Sequence, residues 1–176
     1  MKKIRIFLMS IICLILPGCE NNKLEYYANK KHKIDLKYFF SGDIEGWGAI
    51  FDYQGRQIRS FNVKIKASWN NNQGTLDEWF EFDDGEKSQR IWDITFANDK
   101  IFKGKAHDII GQANGEQNGS AVNLHYTLQV PYNNSSIDLK MDDWMYLIED
   151  DLILNRTSMK KFGFKVGEVV LFMKKK

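Results

Sequence analysis

Phe61-Asn62-Val63-Lys64-Ile65-Lys66-Ala67-Ser68-Trp69 alternates apolar and polar side chains without a break. Successive side chains of a strand point to opposite faces, so this run builds one apolar face and one wet face. Residues 122–130 do the same, with Val122, Leu124, Tyr126, Leu128 and Val130 set against Asn123, His125, Thr127 and Gln129. Shorter runs at 76–82, 90–96 and 137–141 obey the same rule. Turn-forming residues separate them: Gln54-Gly55, Asn70-Asn71-Asn72-Gln73-Gly74, Asp84-Gly85, Asn98-Asp99, Asn133-Asn134 and Asp150-Asp151. Strands this closely spaced predict an all-β antiparallel up-and-down meander of nine or ten strands. A short helix is expected only at residues 34–40, broken at Ser41-Gly42.

A meander of that size leaves two edges of unpaired backbone groups unless it closes. Closure of eight or more strands gives a barrel wide enough for one small ligand. The expected fold is therefore a lipocalin-like (calycin-type) β-barrel over residues 34–176. Its last strand, near residues 169–173, is apolar on both faces and is expected to be covered on both sides as it seals the barrel.

The beginning of the chain reads differently. Lys2, Lys3 and Arg5 precede an apolar run from Ile6 to Leu16 that only Ser10 interrupts. That is too short to span a bilayer, which needs about 20 apolar residues, and suits a signal peptide. Leu16-Pro17-Gly18-Cys19 resembles the lipobox of bacterial lipoproteins, in which the chain is cut before a cysteine that carries acyl chains. Residues 1–18 are thus expected to be a signal peptide and Cys19 the lipidated residue. Residues 19–33 read as the lipidated cysteine and a polar tether. Glu20 is not the Asp that marks inner-membrane retention, so the resemblance implies a cell-envelope protein on the outer membrane, facing the periplasm.

The signal also carries the apparent basicity. The chain has 25 Lys and Arg against 23 Asp and Glu; removing three cations and no anion leaves a net charge of −1. No nucleic-acid footprint is expected. Of the two cysteines, Cys13 would leave with the signal and Cys19 would carry lipid, so no disulfide is expected. Taking 18 residues from 176 leaves 158, with most of the chain's 12 Phe, 7 Tyr and 5 Trp for a core. A single domain of that length needs no staple.

Four stretches resemble a family of proteobacterial lipoproteins, domain of unknown function 3833. They are Phe40-Ser41-Gly42-Asp43-Ile44-Glu45-Gly46-Trp47-Gly48; Asp83-Asp84-Gly85 with Arg90-Ile91-Trp92; Gly104-Lys105-Ala106-His107-Asp108 with Gly111; and Asp142-Asp143-Trp144-Met145-Tyr146 through Asn155-Arg156, Lys161-Phe162-Gly163 and Gly167-Glu168. The resemblance implies a lipoprotein with a lipocalin-like barrel and no established activity. Family members are often encoded beside fatty-acid-modifying enzymes, which points toward lipid. There is a fainter likeness to lipocalins, whose first strand carries a Trp covered by a late basic residue. By that likeness Trp47 is expected to stack on Arg156, although Gly42 and Trp47 are spaced too widely for the strict motif.

Candidate chemistry is sparse. His107-Asp108 sits in a strand-like run, so the two side chains are expected to diverge. His125 lies on a wet face and His32 in the tether; with no mature thiol, neither a metal site nor a cofactor is expected. Asp142 and Asp143 are adjacent and diverge, with one outward and one hydrogen-bonded beside Trp144. Gly111 to Gly119 reads as a mobile loop at the barrel mouth. No catalytic motif is present, so the chain is not expected to be an enzyme.

In the apolar rows Leu76-Glu78-Phe80-Phe82 and Arg90-Trp92-Ile94-Phe96, one charge of each sign interrupts the inner face. If Asp83-Asp84-Gly85 is a three-residue loop with Gly85 left-handed, Phe82 opposes Glu86 and Glu78 opposes Arg90. A two-residue turn would put the two apolar faces on opposite sides. Glu78, Arg90, Trp92, Trp47, Arg156 and Tyr126 are therefore the expected ligand-binding residues. The leading expectation is a barrel that binds a fatty acid or phospholipid-derived molecule. A filled barrel that binds a partner or glycan is the second reading. An enzyme acting on lipid through His107, Asp108 or Asp142 is the third.

Overall fold

The structure, a computed structural model, describes residues 23–176; the expected signal peptide, Cys19 and Glu20 lie outside the described residues. Ten antiparallel strands form a closed ring in which each pairs with its sequence neighbours and β1 with β10. They are β1 (Gly42–Asp52), β2 (Gln57–Asn70), β3 (Gln73–Phe82), β4 (Lys87–Phe96), β5 (Ile101–Lys105), β6 (Ala113–Asn118), β7 (Ala121–Tyr132), β8 (Ser135–Glu149), β9 (Leu152–Lys161) and β10 (Phe164–Lys175). All ten strands and the buried core fall between Ile34 and Lys175, so the described residues contain the complete closed barrel.

The alternation at residues 61–69 is the inner face of β2: Phe61, Val63, Ile65 and Ala67 are buried, and Asn62, Lys64, Lys66 and Ser68 are exposed. Inner glycines lie directly opposite large rings, Gly48 against Phe61, Gly74 against Trp69 and Gly115 against Phe102. A Cβ at any of the three would overlap the ring, so small and large alternate to fill the taper. Phe102 meets Phe96 at 5.1 Å between ring centroids, and Phe96 meets Trp69 at 5.7 Å.

One end of the barrel is plugged. The helix expected at 34–40 is the single turn α1 (Leu36–Phe39), with Asp35 accepting hydrogen bonds from the backbone N–H of Lys37 and Tyr38. Ile34, Leu36, Phe39 and Phe40 are buried against the strand ends. Fully burying one such ring contributes about 1.5–3 kcal/mol. The plug is tied in by the Trp69 indole N–H donating to the Phe40 carbonyl at 2.6 Å, and by Lys175 donating to the Ser41 carbonyl.

Three expectations are corrected. The segment read as a free tether is held from Leu24 on: a 3₁₀ turn (Leu24–Tyr27) places Tyr27 against Trp144 and Tyr146 on the outer wall, with ring centroids at 6.0 and 5.4 Å. The Ser120 N–H also donates to the Tyr27 carbonyl. Gly111 to Gly119 is not a loop, because residues 113–118 form β6. Its inner positions, Ala113 and Gly115, are too small to show as apolar alternation. Finally, β10 does seal the barrel, but its outer face is not covered, since Phe172 is exposed.

Candidate functional site

The core described above fills the plugged half; the polar chemistry lies beyond it, toward the end formed by the β1–β2, β3–β4, β5–β6, β7–β8 and β9–β10 turns. The β3–β4 turn decides its first pair. Gly85 has φ of 85°, the Phe82 N–H donates to the Glu86 carbonyl at 2.9 Å, and Glu78 lies opposite Arg90. Both side chains point inward, 14% and 21% exposed, with Nη1 of Arg90 3.9 Å from Oε2 of Glu78.

Arg90 has a closer partner. Beside β4 the wall is low, because β5 pairs with it only over residues 93–96. The connection between β5 and β6 crosses that gap, held to β7 by hydrogen bonds from Ile110 to Thr127 and from Gln129 to Asp108. It delivers Asp108, whose carboxylate accepts from Nε of Arg90 at 2.9 and 3.1 Å and from Nη2 at 2.7 Å. The guanidinium carbon also lies 5.8 Å from the Phe80 ring and 5.9 Å from Trp92. Such a charged, multidentate arrangement is stronger than a neutral hydrogen bond and fixes the fork.

A second polar group faces it from the other wall. Along β8 the inner row is Leu139, Met141, Asp143 and Met145. Asp143 is buried; it accepts from Nδ2 of Asn155 and from the Tyr126 hydroxyl, the latter at 3.3 Å. Asn155 is itself held by the Trp144 carbonyl at 3.0 Å, and Thr157 donates to Asn155 at 3.3 Å. Tyr126 packs edge-on against Trp92 with centroids 5.5 Å apart, joining the two groups.

Burial sets the protonation here. It pushes the Glu78 carboxyl up to about 7, and attraction to Arg90 only partly offsets this. It pushes Asp143 up to about 6 against the hydrogen bonds from Asn155, Thr157 and Tyr126. Tyr126 is raised well above its ordinary value for the same reason, so it stays a neutral donor. Around Arg90 stand three carboxyls, two of which titrate near neutrality, and a second guanidinium, Arg59, packs 3.6 Å over the Phe82 ring nearer the mouth. Low-dielectric surroundings of this kind mark candidate binding or reactive sites.

A family model described as "Protein of unknown function (DUF3833)" matches residues 13–175. The chain belongs to this family. No curated protein matches it. Among solved structures it is similar to the S-type phycobiliprotein lyase CPES from Guillardia theta, with 10% identity, a TM-score of 0.57, and coverage of 81% of this chain and 94% of that one. At that identity the likeness concerns the fold, a lipocalin-like barrel.

Of the residues singled out in this DUF3833 chain by sequence, Glu78, Arg90, Trp92 and Tyr126 come together. Trp47 and Arg156 do not join them. Trp47 is on the outer face, 52% exposed, opposite Phe172. Arg156 also faces out, and its guanidinium is taken by Glu168 instead of the Trp47 ring. In register, Trp47 shares a row with Leu154, two residues from Arg156. His107 and Asp108 lie in a turn, not a strand; Asp108 turns inward while His107 stays exposed. His107 lines a groove of about 420 Å³ on the outer wall with Gln89, Ile91, Asp93, Lys105 and Ala106. Asp142 faces out to Lys160 at 3.1 Å, so the adjacent carboxylates diverge as read. Among the described residues no three His, Cys, Asp or Glu converge on a metal-holding geometry. Asp143, read only as hydrogen-bonded beside Trp144, and Asn155 were not among the expected binding residues. Their signal was present, since each interrupts an inner row of apolar residues as Glu78 does.

Proposed function

We propose that this chain is a cell-envelope lipoprotein whose barrel binds one amphipathic molecule, a fatty acid or a phospholipid-derived compound. The observation that carries the binding reading is the division of the barrel into halves. Below lies a plugged aromatic core; above it the polar groups of Arg90, Asp108, Glu78, Tyr126 and Asp143 converge among half-buried Phe80, Phe82, Leu128, Met159 and Val169. A few convergent polar groups in an apolar lining are what orient a small ligand. The head group would meet Arg90 and the hydroxyl of Tyr126, and protonation of Glu78 would favour an acidic one. The similar lyase is named for an action on phycobiliproteins, which fits a barrel of this kind that works on a bound partner or ligand.

The test is native mass spectrometry of residues 23–176 with added palmitate and lysophosphatidylglycerol. One equivalent is expected to bind, and Arg90→Lys should weaken the complex by about tenfold, the loss of a fixed bidentate fork. No complex with either lipid at micromolar concentration would sink the ligand reading.

For the anchor, Cys19 is four residue steps from Lys23, just ahead of the docked 3₁₀ turn. Those steps reach at most about 13 Å, so an acylated Cys19 would hold the barrel close to its membrane. Stable anchoring needs two or more acyl chains. Cys19→Ala is expected to abolish fatty-acid labelling and leave an unprocessed precursor. Persistent labelling of that variant would overturn the lipoprotein reading, and recovery of the wild type with the inner membrane would overturn outer-membrane residence.

A further inference from the structure

The turns around the open end are not alike. The β9–β10 turn carries Met159-Lys160-Lys161-Phe162-Gly163-Phe164-Lys165-Val166-Gly167, with three lysines and no carboxylate. Across the mouth, the β3–β4 turn carries Asp83, Asp84 and Glu86. The mouth therefore has one basic aromatic lip and, opposite it, a turn whose Asp84 and Glu86 are paired with Arg59.

Phe162 and Phe164 are 88% and 77% exposed, the two most exposed large apolar side chains among the described residues. The neighbouring β1–β2 hairpin adds exposed Tyr53 and Ile58, and the β7–β8 hairpin on the other side adds Tyr132. Exposed apolar side chains therefore stand on three successive hairpins of this rim, more than the scattered exposed residues that need no explanation. Phe162 is also held at φ of 50°, followed by Gly163 at 85°. A bulky non-glycine residue is rarely found there, and such outliers gather where they serve a function. A glycine would satisfy the turn better, yet the position holds an aromatic ring aimed at solvent.

The lysines sit one or two residues back from the rings. Nζ of Lys161 lies 5.1 Å over the Phe162 ring and donates to the Asp138 carbonyl at 2.9 Å. Lys160 reaches Asp142 at 3.1 Å and Lys165 reaches Glu168 at 2.8 Å. Rings at the tip with ammonium groups one layer behind match the depth profile of an anionic bilayer, where rings enter the head-group boundary and lysines meet the phosphates.

We propose that the β9–β10 hairpin is a membrane-docking lip that inserts Phe162 and Phe164 into the surface of an anionic bilayer and tilts the barrel mouth toward it. Rings flanked by lysines on one hairpin suit a broad anionic surface, and the β3–β4 turn, where Arg59 pairs with Asp84 and Glu86, offers it no second set of exposed rings. The lip lies at the end opposite the plug and the docked 3₁₀ turn, so its contact is separate from any anchor at Cys19. It also stands apart from the ligand reading, because docking needs no occupied barrel.

The test is co-sedimentation of residues 23–176 with vesicles of equal phosphatidylglycerol and phosphatidylcholine, and with phosphatidylcholine alone. The wild type is expected to bind the anionic vesicles and to be released by salt. The Phe162→Gly/Phe164→Ser variant should partition about tenfold less, as two rings lose their burial. Phe162→Gly alone relieves the left-handed strain, so it should melt no lower than wild type while binding less; loss of binding then cannot be unfolding. Equal binding by variant and wild type, or binding indifferent to lipid charge, would overturn the proposal. So would a wild type that ignores vesicles but self-associates through Phe162 in sedimentation velocity, which would make the lip a contact between copies.

Discussion

Arg90→Met is expected to destabilise the barrel by about 2–4 kcal/mol at pH 8 and by distinctly less at pH 5. Methionine keeps the apolar stem of Arg90 against Phe80 and Trp92, so what is removed is the guanidinium. At pH 8 Asp108 then loses its cation, in surroundings where side-chain exposure is 21% for Asp108 and 14% for Glu78. Glu78 must either stay charged without that cation or take up a proton, since the attraction that offset its burial is gone. Breaking a fully buried pair costs about 3–5 kcal/mol, and the residual water contact lowers the figure. At pH 5 Glu78 is protonated, since its carboxyl titrates near 7, and only Asp108 loses a partner. The pH dependence separates this from a cavity effect, which would be the same at both values. Asp108→Asn in the same chain should recover part of the loss, because the two residues share one interaction and are not additive. Urea unfolding at the two pH values is the measurement. A change below about 0.5 kcal/mol at pH 8 would show that the interior is wet enough to solvate these groups as a surface does.

The features that were legible in the sequence are those fixed by local periodicity and turn chemistry. The period-2 runs gave the strands and their inner faces, because one-sided burial leaves a strand no other register. The position of Gly85 gave the turn, and the turn gave the Glu78–Arg90 pairing. Features that depend on distant chain segments were not visible. Asp108 reaches Arg90 only because β5 is short and the next connection fills the gap, which no pattern around residue 108 records. β6 escaped notice because its inner positions are small, and their size is explained by Phe102 on the neighbouring strand. The Trp47–Arg156 stack came from a likeness and not from register. The row Trp47–Phe172–Leu154 shows why it fails: neither side chain faces the interior, and Glu168 sits beside Arg156 on the same outer face. Asp143 could have been read, since the row Leu139-Met141-Asp143-Met145 places it inward. What the row could not show was the Asn155 and Tyr126 side chains that make burial of that carboxyl tolerable.

Stability should peak near pH 4.5–5 and fall as the pH rises to 8, the reverse of the usual acid-labile pattern. Glu78 and Asp143 have folded-state values near 7 and 6, above their ordinary 4.5 and 3.8. Between the unfolded and folded values the unfolded chain binds fewer protons than the folded one, so stability decreases with rising pH. For Glu78 the window runs from 4.5 to 7, and for Asp143 from 3.8 to 6. A displacement of that size for Glu78 alone amounts to on the order of 3 kcal/mol, an upper figure because the side chain keeps some contact with water. Other carboxylates act in the opposite sense. Asp142 is lowered because the Lys160 and Asn123 hydrogen bonds outweigh its burial, and Glu168 because Arg156 and Lys165 outweigh its own. Their contribution is complete above their ordinary values and is lost only as the pH falls through their lowered ones, which places the peak and leaves the decline above pH 5 to the interior pair. Glu78→Gln keeps the shape and removes the charge. It should flatten the slope between pH 5 and 7 and raise stability at pH 8, where the wild type must hold a buried carboxylate. The cost is a site with one fewer carboxyl, so the same variant should also lose the pH dependence of lipid binding that protonation of Glu78 would impose. Thermal melts from pH 4 to 8 decide the matter: a wild type more stable at pH 8 than at pH 5, or a Glu78→Gln variant with the full wild-type slope, would place Glu78 in water and remove it from the interior chemistry.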